Sequence, residues 1–443
     1  MELFSEILKS ISDFLWGTPL LILLLGTGIF LSIRLKLIQL FKFNASFKSL
    51  FAKSDKEGDI SPFQALTTAL AASIGTGNIV GVATAIAAGG PGALFWMWVT
   101  AFFGMATKYA EAVLAIKYRV KKEDGEIAGG PMYYIENGLG KKWLGKTFAF
   151  FAVIASFGIG NTVQSNSIAD ALNNSFNISP LITGVVVALL TGLVIIGGIK
   201  NIGKVTGVLV PFMAGAYILG CLIILLFNID AIPNAFSLIF SDAFTGSAAV
   251  GGFAGSTVMY AIKSGVARGV FSNEAGLGSA PIAQAAAQTE SPASQGLIAM
   301  LDTFIDTIVV CTFTGLVIIS TGAWSTGLNG AELTSEAFNK GLPGPGGFIV
   351  SFGIIFFAFS TILGWSYYGE KCLEYLVGAK SIKFYRVIFI ISIVVGATAE
   401  LKLVWFLADI MNALMAAPNL IGLIGLSGIV VFETKKYFNK TKI

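Results

Sequence analysis

Apolar runs close to twenty residues long, such as "TPLLILLLGTGIFLSIR" (18–34), recur along this chain between short polar connections. A helix needs about 20 such residues to cross the roughly 30 Å hydrocarbon layer of a bilayer, and a single soluble core has no reason to repeat that length. Eleven spans follow, over residues 16–34, 62–88, 92–118, 147–170, 180–199, 205–228, 246–272, 295–321, 347–371, 384–399 and 403–432. Charged residues make up 12% of the chain and mean hydropathy is +0.79, where soluble domains carry about 25% charged residues. The sequence therefore reads as an all-α polytopic membrane protein, with the lipid bilayer as its first partner. A net charge of +4 implies no nucleic acid, because the cations lie in connections where topology accounts for them.

Those cations set an orientation. Of 29 Lys and Arg, 23 fall in residues 34–58, 117–146, 200–204, 371–386 and 433–443, while the alternate connections hold only Lys9, Lys340 and Lys402. Positive connections stay in the cytoplasm, so the N-terminus is expected outside and the C-terminus inside a cell (plasma) membrane. "MELFSEILKSISDFLWG" lacks a basic region followed by an apolar one and reads as no cleaved signal. Setting the first span aside leaves ten, in two halves of opposite orientation. The first span of each half is glycine-interrupted, "SIGTGN" in one, "GGFAGS" and "KSGVARG" in the other, which is the sequence mark of an inverted-repeat transporter with its site at the breaks. The expected organisation is an N-terminal helix and cytoplasmic connection (1–61), a five-helix repeat (62–232), a second, inverted repeat (233–432) and a cytoplasmic tail (433–443), with two discontinuous helices. The outer connection 321–347 reads either as a lid or as a solvated loop.

The break at 73–78 carries the chemistry. In hydrocarbon every backbone polar group needs a partner, so an interruption at mid-span must be buried in protein or line a polar cavity. It frees carbonyl oxygens suited to a cation and N–H groups, at the positive end of the following half-helix, suited to a carboxylate. Gly75, Thr76 and Gly77 let the backbone approach a ligand, with a positive φ expected at Gly77, and Asn78 adds an amide; tight helix packing is the other reading of the glycines. Gln164 and Asn166 in "GNTVQSN" either face a cavity or bind backbone between helices. Ser360 and Thr361 offer hard oxygens to a small cation, with Trp365 one turn beyond Thr361. Lys108 and Glu111 are spaced to pair with each other. Asp302 and Asp306 are placed near an inner helix end, so no carboxylate is expected beside the break. Cys221, Cys311 and Cys372 lack metal or disulfide spacing, and the chain has no histidine, which leaves no catalytic residues and no cofactor.

The stretch "GGPGALFWMWVTAFFGMATKYAE" (89–111), with "SIGTGNIVGVATAIA" before it and "ARGVFSNEAGLGSAPIA" (267–283) later, resembles the alanine or glycine:cation symporter family, the sodium:alanine symporters. The resemblance implies a leucine-transporter-like fold and sodium-coupled uptake of small neutral amino acids by alternating access. By that similarity Gly75, Thr76 and Gly77 meet the substrate carboxylate, and Gln164, Asn166, Thr361 and Trp365 line the pocket. Sodium is implied at the backbone oxygens of Ala71, Ile74 and Phe357 and the hydroxyls of Ser360 and Thr361. The second break is implied at Gly251–Ser256 or Lys263–Asn273, bringing in Ser272 and Asn273, and Lys263 reads as a cytoplasmic-end anchor. The alternatives are a proton-coupled permease of the same fold, using Lys263 or Asp302 and Asp306, and, more remotely, a channel or membrane-embedded enzyme.

Overall fold

Helices begin where the sequence places polar punctuation. At "SPFQ" (61–64) the Ser61 hydroxyl accepts from the Gln64 N–H at 3.2 Å, the Gln64 side chain accepts from the Ser61 N–H at 3.0 Å, and Pro62 occupies a position needing no N–H. The same device recurs at Ser291–Pro292, where the Ser291 hydroxyl accepts from the Ser294 N–H at 3.1 Å. The computed structural model describes residues 2–51, 57–123, 125–245, 258–289, 291–399 and 402–441.

The chain starts with α1 (Glu2–Leu15) and α2 (Thr18–Arg34), then two short helices, α3 (Ile38–Phe41) and α4 (Phe43–Leu50). A broken pair follows, α5 (Pro62–Ser73) and α6 (Val80–Gly89), and a tight turn at Gly90 (φ 72°) leads into α7 (Gly92–Lys117). A two-stranded hairpin, β1 (Val120–Lys121) and β2 (Ile127–Ala128), precedes α8 (Pro131–Leu139), α9 (Lys142–Phe157), α10 (Val163–Phe176), α11 (Pro180–Ile195), α12 (Gly198–Phe227) and α13 (Ile232–Thr245). The second half runs through α14 (Val258–Asn273), α15 (Ala280–Gln284), α16 (Pro292–Thr303), α17 (Thr312–Ser320), α18 (Gly330–Gly341), α19 (Gly346–Val377), α20 (Ser381–Thr398), α21 (Lys402–Gly425) and α22 (Ser427–Thr441). Two π-helical segments, Gly158–Thr162 and Phe304–Cys311, join α9 to α10 and α16 to α17.

By length and composition, eight helices among the described residues could cross a membrane, or nine with α5 and α6 as one span bent by 62°. That criterion does not recover all eleven expected spans. The two not recovered are 180–199, where α11 is apolar but only 16 residues long, and 246–272, where the stretch leading into α14 lies outside the described residues; the expected span 403–432 is recovered over Phe406–Gly425, its remainder forming α22 beyond Leu426.

Burial separates centre from rim. The apolar window of α7 is 83% buried while that of α20 is 28% buried, so α7 is the central post and α20 presents a side to lipid. Helices α14 and α16 pack along α7, and α19 packs against α5, α9 and α10. This brings both interrupted segments and both π segments around one point. Such π turns leave backbone carbonyls without their usual partners and recur at functional sites.

Candidate functional site

The first break is built by its own side chains. Gly75 is extended (φ −138°, ψ −153°), Thr76–Asn78 form one 3₁₀ turn, and α6 then departs at 62° from α5. The Gly75 N–H, which a continuous helix would donate to the Ala71 carbonyl, is bound by the Asn78 side-chain oxygen at 2.9 Å. The Asn78 N–H, which would serve Ile74, turns to the Gly75 carbonyl at 3.2 Å. Two carbonyls are thereby released beside α19, where the Ser360 hydroxyl lies 3.1 Å from the Ala71 oxygen, 3.4 Å from that of Ile74 and 2.8 Å from that of Phe357. Thr361 donates to the Phe357 oxygen at 3.0 Å. One Ser360 proton cannot serve three carbonyls, so the spot holds more acceptor oxygens than donors. A small hard cation satisfies such a surplus.

Around Gly75 the structure brings together three residues singled out in the sequence. A Cβ on Gly75 would stand 2.6 Å from the Thr361 hydroxyl and 3.8 Å from the Gln164 side-chain oxygen. The Gln164 amide nitrogen donates to Ile159 in the first π segment at 3.0 Å. Its oxygen, like the Thr76 hydroxyl, is buried with no hydrogen-bond partner among the described residues. Buried polar atoms are almost always satisfied; twelve other buried side-chain atoms are also unpartnered among the described residues, and what sets these two apart is their place beside the break. Trp365, 1% exposed, packs against Gly160 of the same π segment and donates its indole N–H to Glu274 at 2.9 Å.

The other expected residues make contacts of their own. Asn78 is a bracket for the break, donating onward to the Asp306 carboxylate at 2.7 Å. Gly77 is not in the positive-φ region; its Cα faces α14, where a Cβ would come within 3.2 Å of the Ser272 Cα. Ser272 bonds Asp306 at 2.9 Å and Asn273 bonds Thr307 at 3.1 Å, so both side chains are turned to the second π segment. Asn166 reaches the Ala399 carbonyl at 3.4 Å, away from the break.

The second break follows Asn273. Helix α14 is continuous from Lys263 through Asn273, which removes the expected break there, and Gly251–Ser256 lies outside the described residues. The interruption is "EAGLGS" (274–279), with positive φ at Glu274 (55°), Gly276 (90°) and Gly278 (86°). Buried acids gather between the two breaks, contrary to the expectation of none. Asp302 accepts from Lys108 at 2.8 Å and from Ser73, the last residue of α5, at 2.8 Å. Glu111 does not pair with Lys108; it accepts from Asn419 at 2.7 Å, and Asn419 also donates to the Gly276 carbonyl at 2.9 Å. Glu274 accepts from Trp365 and Ser279. The available signal for Asp306 was its count along the span: it is the 15th residue of Pro292–Ser320, about 21 Å from the start at 1.5 Å per residue.

The two ends of the molecule differ. At the end away from the basic connections, α1, α6, α14 and α21 enclose a cleft of about 320 Å³ bearing Asp13, Lys263, Arg268 and Asp409. Its floor includes Phe271, whose ring would lie 3.4 Å from a Cβ on Gly77. Lys263 thus sits opposite the basic connections and not among them. At the basic end the helices are tied shut. Asp59 N–H donates to Ala286 and Gln288 N–H to Ile60, both at 2.8 Å. Arg119 donates to the carbonyls of Ala285, Ala287 and Glu57 at 3.2, 2.8 and 2.9 Å. Burial lifts the Asp59 carboxyl above its ordinary value, against the Ile127 N–H that it accepts at 2.9 Å.

A sequence model of the sodium:alanine symporter family matches residues 1–443. The sodium/alanine symporter AgcS of Methanococcus maripaludis is 58% identical, over 98% of this chain and 97% of its own length. The amino-acid carrier protein AlsT of Bacillus subtilis is 39% identical, over 99% of this chain and 93% of its own length. A Na+-coupled sialic acid symporter, solved in a substrate-bound outward-open state, shares the fold with a TM-score of 0.52 at 14% identity, covering 94% of this chain and 87% of that one.

Proposed function

The chain belongs to the sodium:alanine symporter family, and we propose that it carries a small neutral amino acid, alanine or glycine, into the cell with sodium by alternating access. It is a transporter and not an enzyme, as its family and relatives are. The observation that carries the reading is the oxygen surplus at Ser360, where carbonyls freed by the break meet one hydroxyl proton. In this reading sodium, as co-substrate, sits among the oxygens of Ala71, Ile74, Phe357, Ser360 and Thr361. The substrate lies alongside, its carboxylate at Gly75–Gly77 near the amino end of α6, with Gln164 and Thr361 as polar walls and Trp365 limiting its size. Because the Gly75 N–H is held by Asn78, the carboxylate draws on the N–H groups of Thr76 and Gly77. A charge-assisted bond of this kind contributes about 1.5–3 kcal/mol.

Residues 62–232 and 233–432 form the two inverted repeats in this reading, with the basic connections and C-terminus in the cytoplasm and the N-terminus outside. The cleft over Phe271 is then the outer approach and the Arg119 tie the closed inner side. A proton-coupled variant is favoured by one observation, the buried carboxylates of Asp302, Asp306 and Glu274 around the breaks. Purified protein in liposomes separates the two. Alanine uptake should follow an inward sodium gradient at equal pH, and Ser360→Ala with Thr361→Ala should raise the half-saturating sodium concentration by about tenfold or more, since two of about five hard ligands are lost. Uptake driven by a proton gradient without sodium would overturn the sodium reading.

A further inference from the structure

At the basic end, the close of α2, the turn after it and α22 form a groove of about 370 Å³. We infer that this groove binds an acidic phospholipid, its phosphate among Arg34, Lys36 and Lys435 and its acyl chains along Phe41 and Phe438. All five residues line it, and no Asp or Glu does among its described lining. The nearest acid in sequence, Glu433, is turned to Lys117 at 2.6 Å. The backbone is arranged to present these cations. Lys36 and Leu37 are successive non-glycine residues with φ of 55° and 52°, a region that L-residues with a Cβ avoid. That turn reverses the chain after α2 and leaves Lys36 exposed at the groove. Arg34 is oriented by its bond to the Ser427 hydroxyl of α22 at 3.1 Å, and Lys42 lies 4.8 Å from the centre of the Phe438 ring.

A soluble anion would use the cations and leave the apolar wall without a purpose. A phospholipid uses both. The wall continues onto a lipid-facing surface, since Phe41 is 71% and Ile33 of α2 69% exposed. Anionic headgroups are held by juxtamembrane cations in this way, each contributing about fivefold in affinity, or about 1 kcal/mol.

The test is lipid retention by the full chain in a neutral detergent, read by native mass spectrometry while phosphatidylglycerol or phosphatidylethanolamine is titrated. The parent should retain phosphatidylglycerol in preference to phosphatidylethanolamine. Lys36→Gln with Lys435→Gln should weaken that retention about twenty-fivefold, while Lys141→Gln with Lys146→Gln, an equal loss of charge elsewhere, should leave it unchanged. Equal binding of the two lipids, equal loss in both double variants, or displacement by inorganic phosphate would each overturn the assignment.

Discussion

A methyl group added at residue 75 and one added at residue 77 should have opposite consequences. At Gly75 it would meet the Thr361 hydroxyl at 2.6 Å, the end of a side chain that can rotate away, so the fold survives and the oxygen cluster loses a member. At Gly77 it would press on the Ser272 backbone at 3.2 Å, which yields only if α14 moves; overpacking of that kind costs about 1–3 kcal/mol. Gly75→Ala is therefore expected to keep its melting temperature and need several-fold more sodium for half-maximal alanine uptake. Gly77→Ala should melt lower while the folded fraction keeps normal sodium dependence. Measuring both quantities on each purified variant checks the pair, and the reverse pattern would exchange the roles assigned to the two glycines. The sequence marked both positions as special and set Gly77 apart by an expected positive φ that the structure does not have; what distinguishes them is the neighbour each Cα faces.

Between the elements, the buried Lys108–Asp302 pair joins α7 to α16 and, through Ser73, to the end of α5. Lys108→Met would leave Asp302 buried without its cation, a loss of about 3–5 kcal/mol. Replacing both, as Lys108→Met with Asp302→Leu, removes the stranded charge, and Ser73 keeps its bond to the Ala69 carbonyl at 3.3 Å. The double variant should recover at least half of the lost stability in thermal unfolding; if it melts as low as the single variant, the pair is not the cause. Spacing alone suggested a different partner for Lys108. Residues 108 and 111 are neighbours on one helix, but both face inward, and there the nearest opposing group comes from another helix. Apolar run length, the capping sequence at 61–64 and the glycines of the first break were legible because they act locally. Of the two places read for the second break, Gly251–Ser256 lies outside the described residues and Lys263–Asn273 is continuous helix, where α14 tolerates its glycines; the interruption at 274–279, where Glu274, Gly276 and Gly278 take positive φ together, was not read at all. Asp302 and Asp306 were read only as candidates for proton coupling near an inner helix end, because an apolar span hides where along its length a carboxylate falls until that length is fixed.

In the whole molecule, a short parallel bridge between Ile60 and Ala287 closes the basic end. Its two strands of chain are 227 positions apart in synthesis, and at about 5–20 residues per second the first must wait roughly ten to forty-five seconds for the second. During that interval the backbone groups at Asp59 and Ile60 have no partner in their own chain, and neither does Arg119 for its two alanine carbonyls. A cysteine in place of Ile60, in a chain otherwise free of cysteine, should react readily with a water-soluble maleimide in a fragment ending at residue 257. It should be protected in the full chain, where the position is 2% exposed; protection in the fragment would mean that the first half seals itself. The bridge thus makes the molecule's birth asymmetric in time: its earlier half is held unfinished in the membrane, open to chaperone or protease, until the later half arrives to complete it.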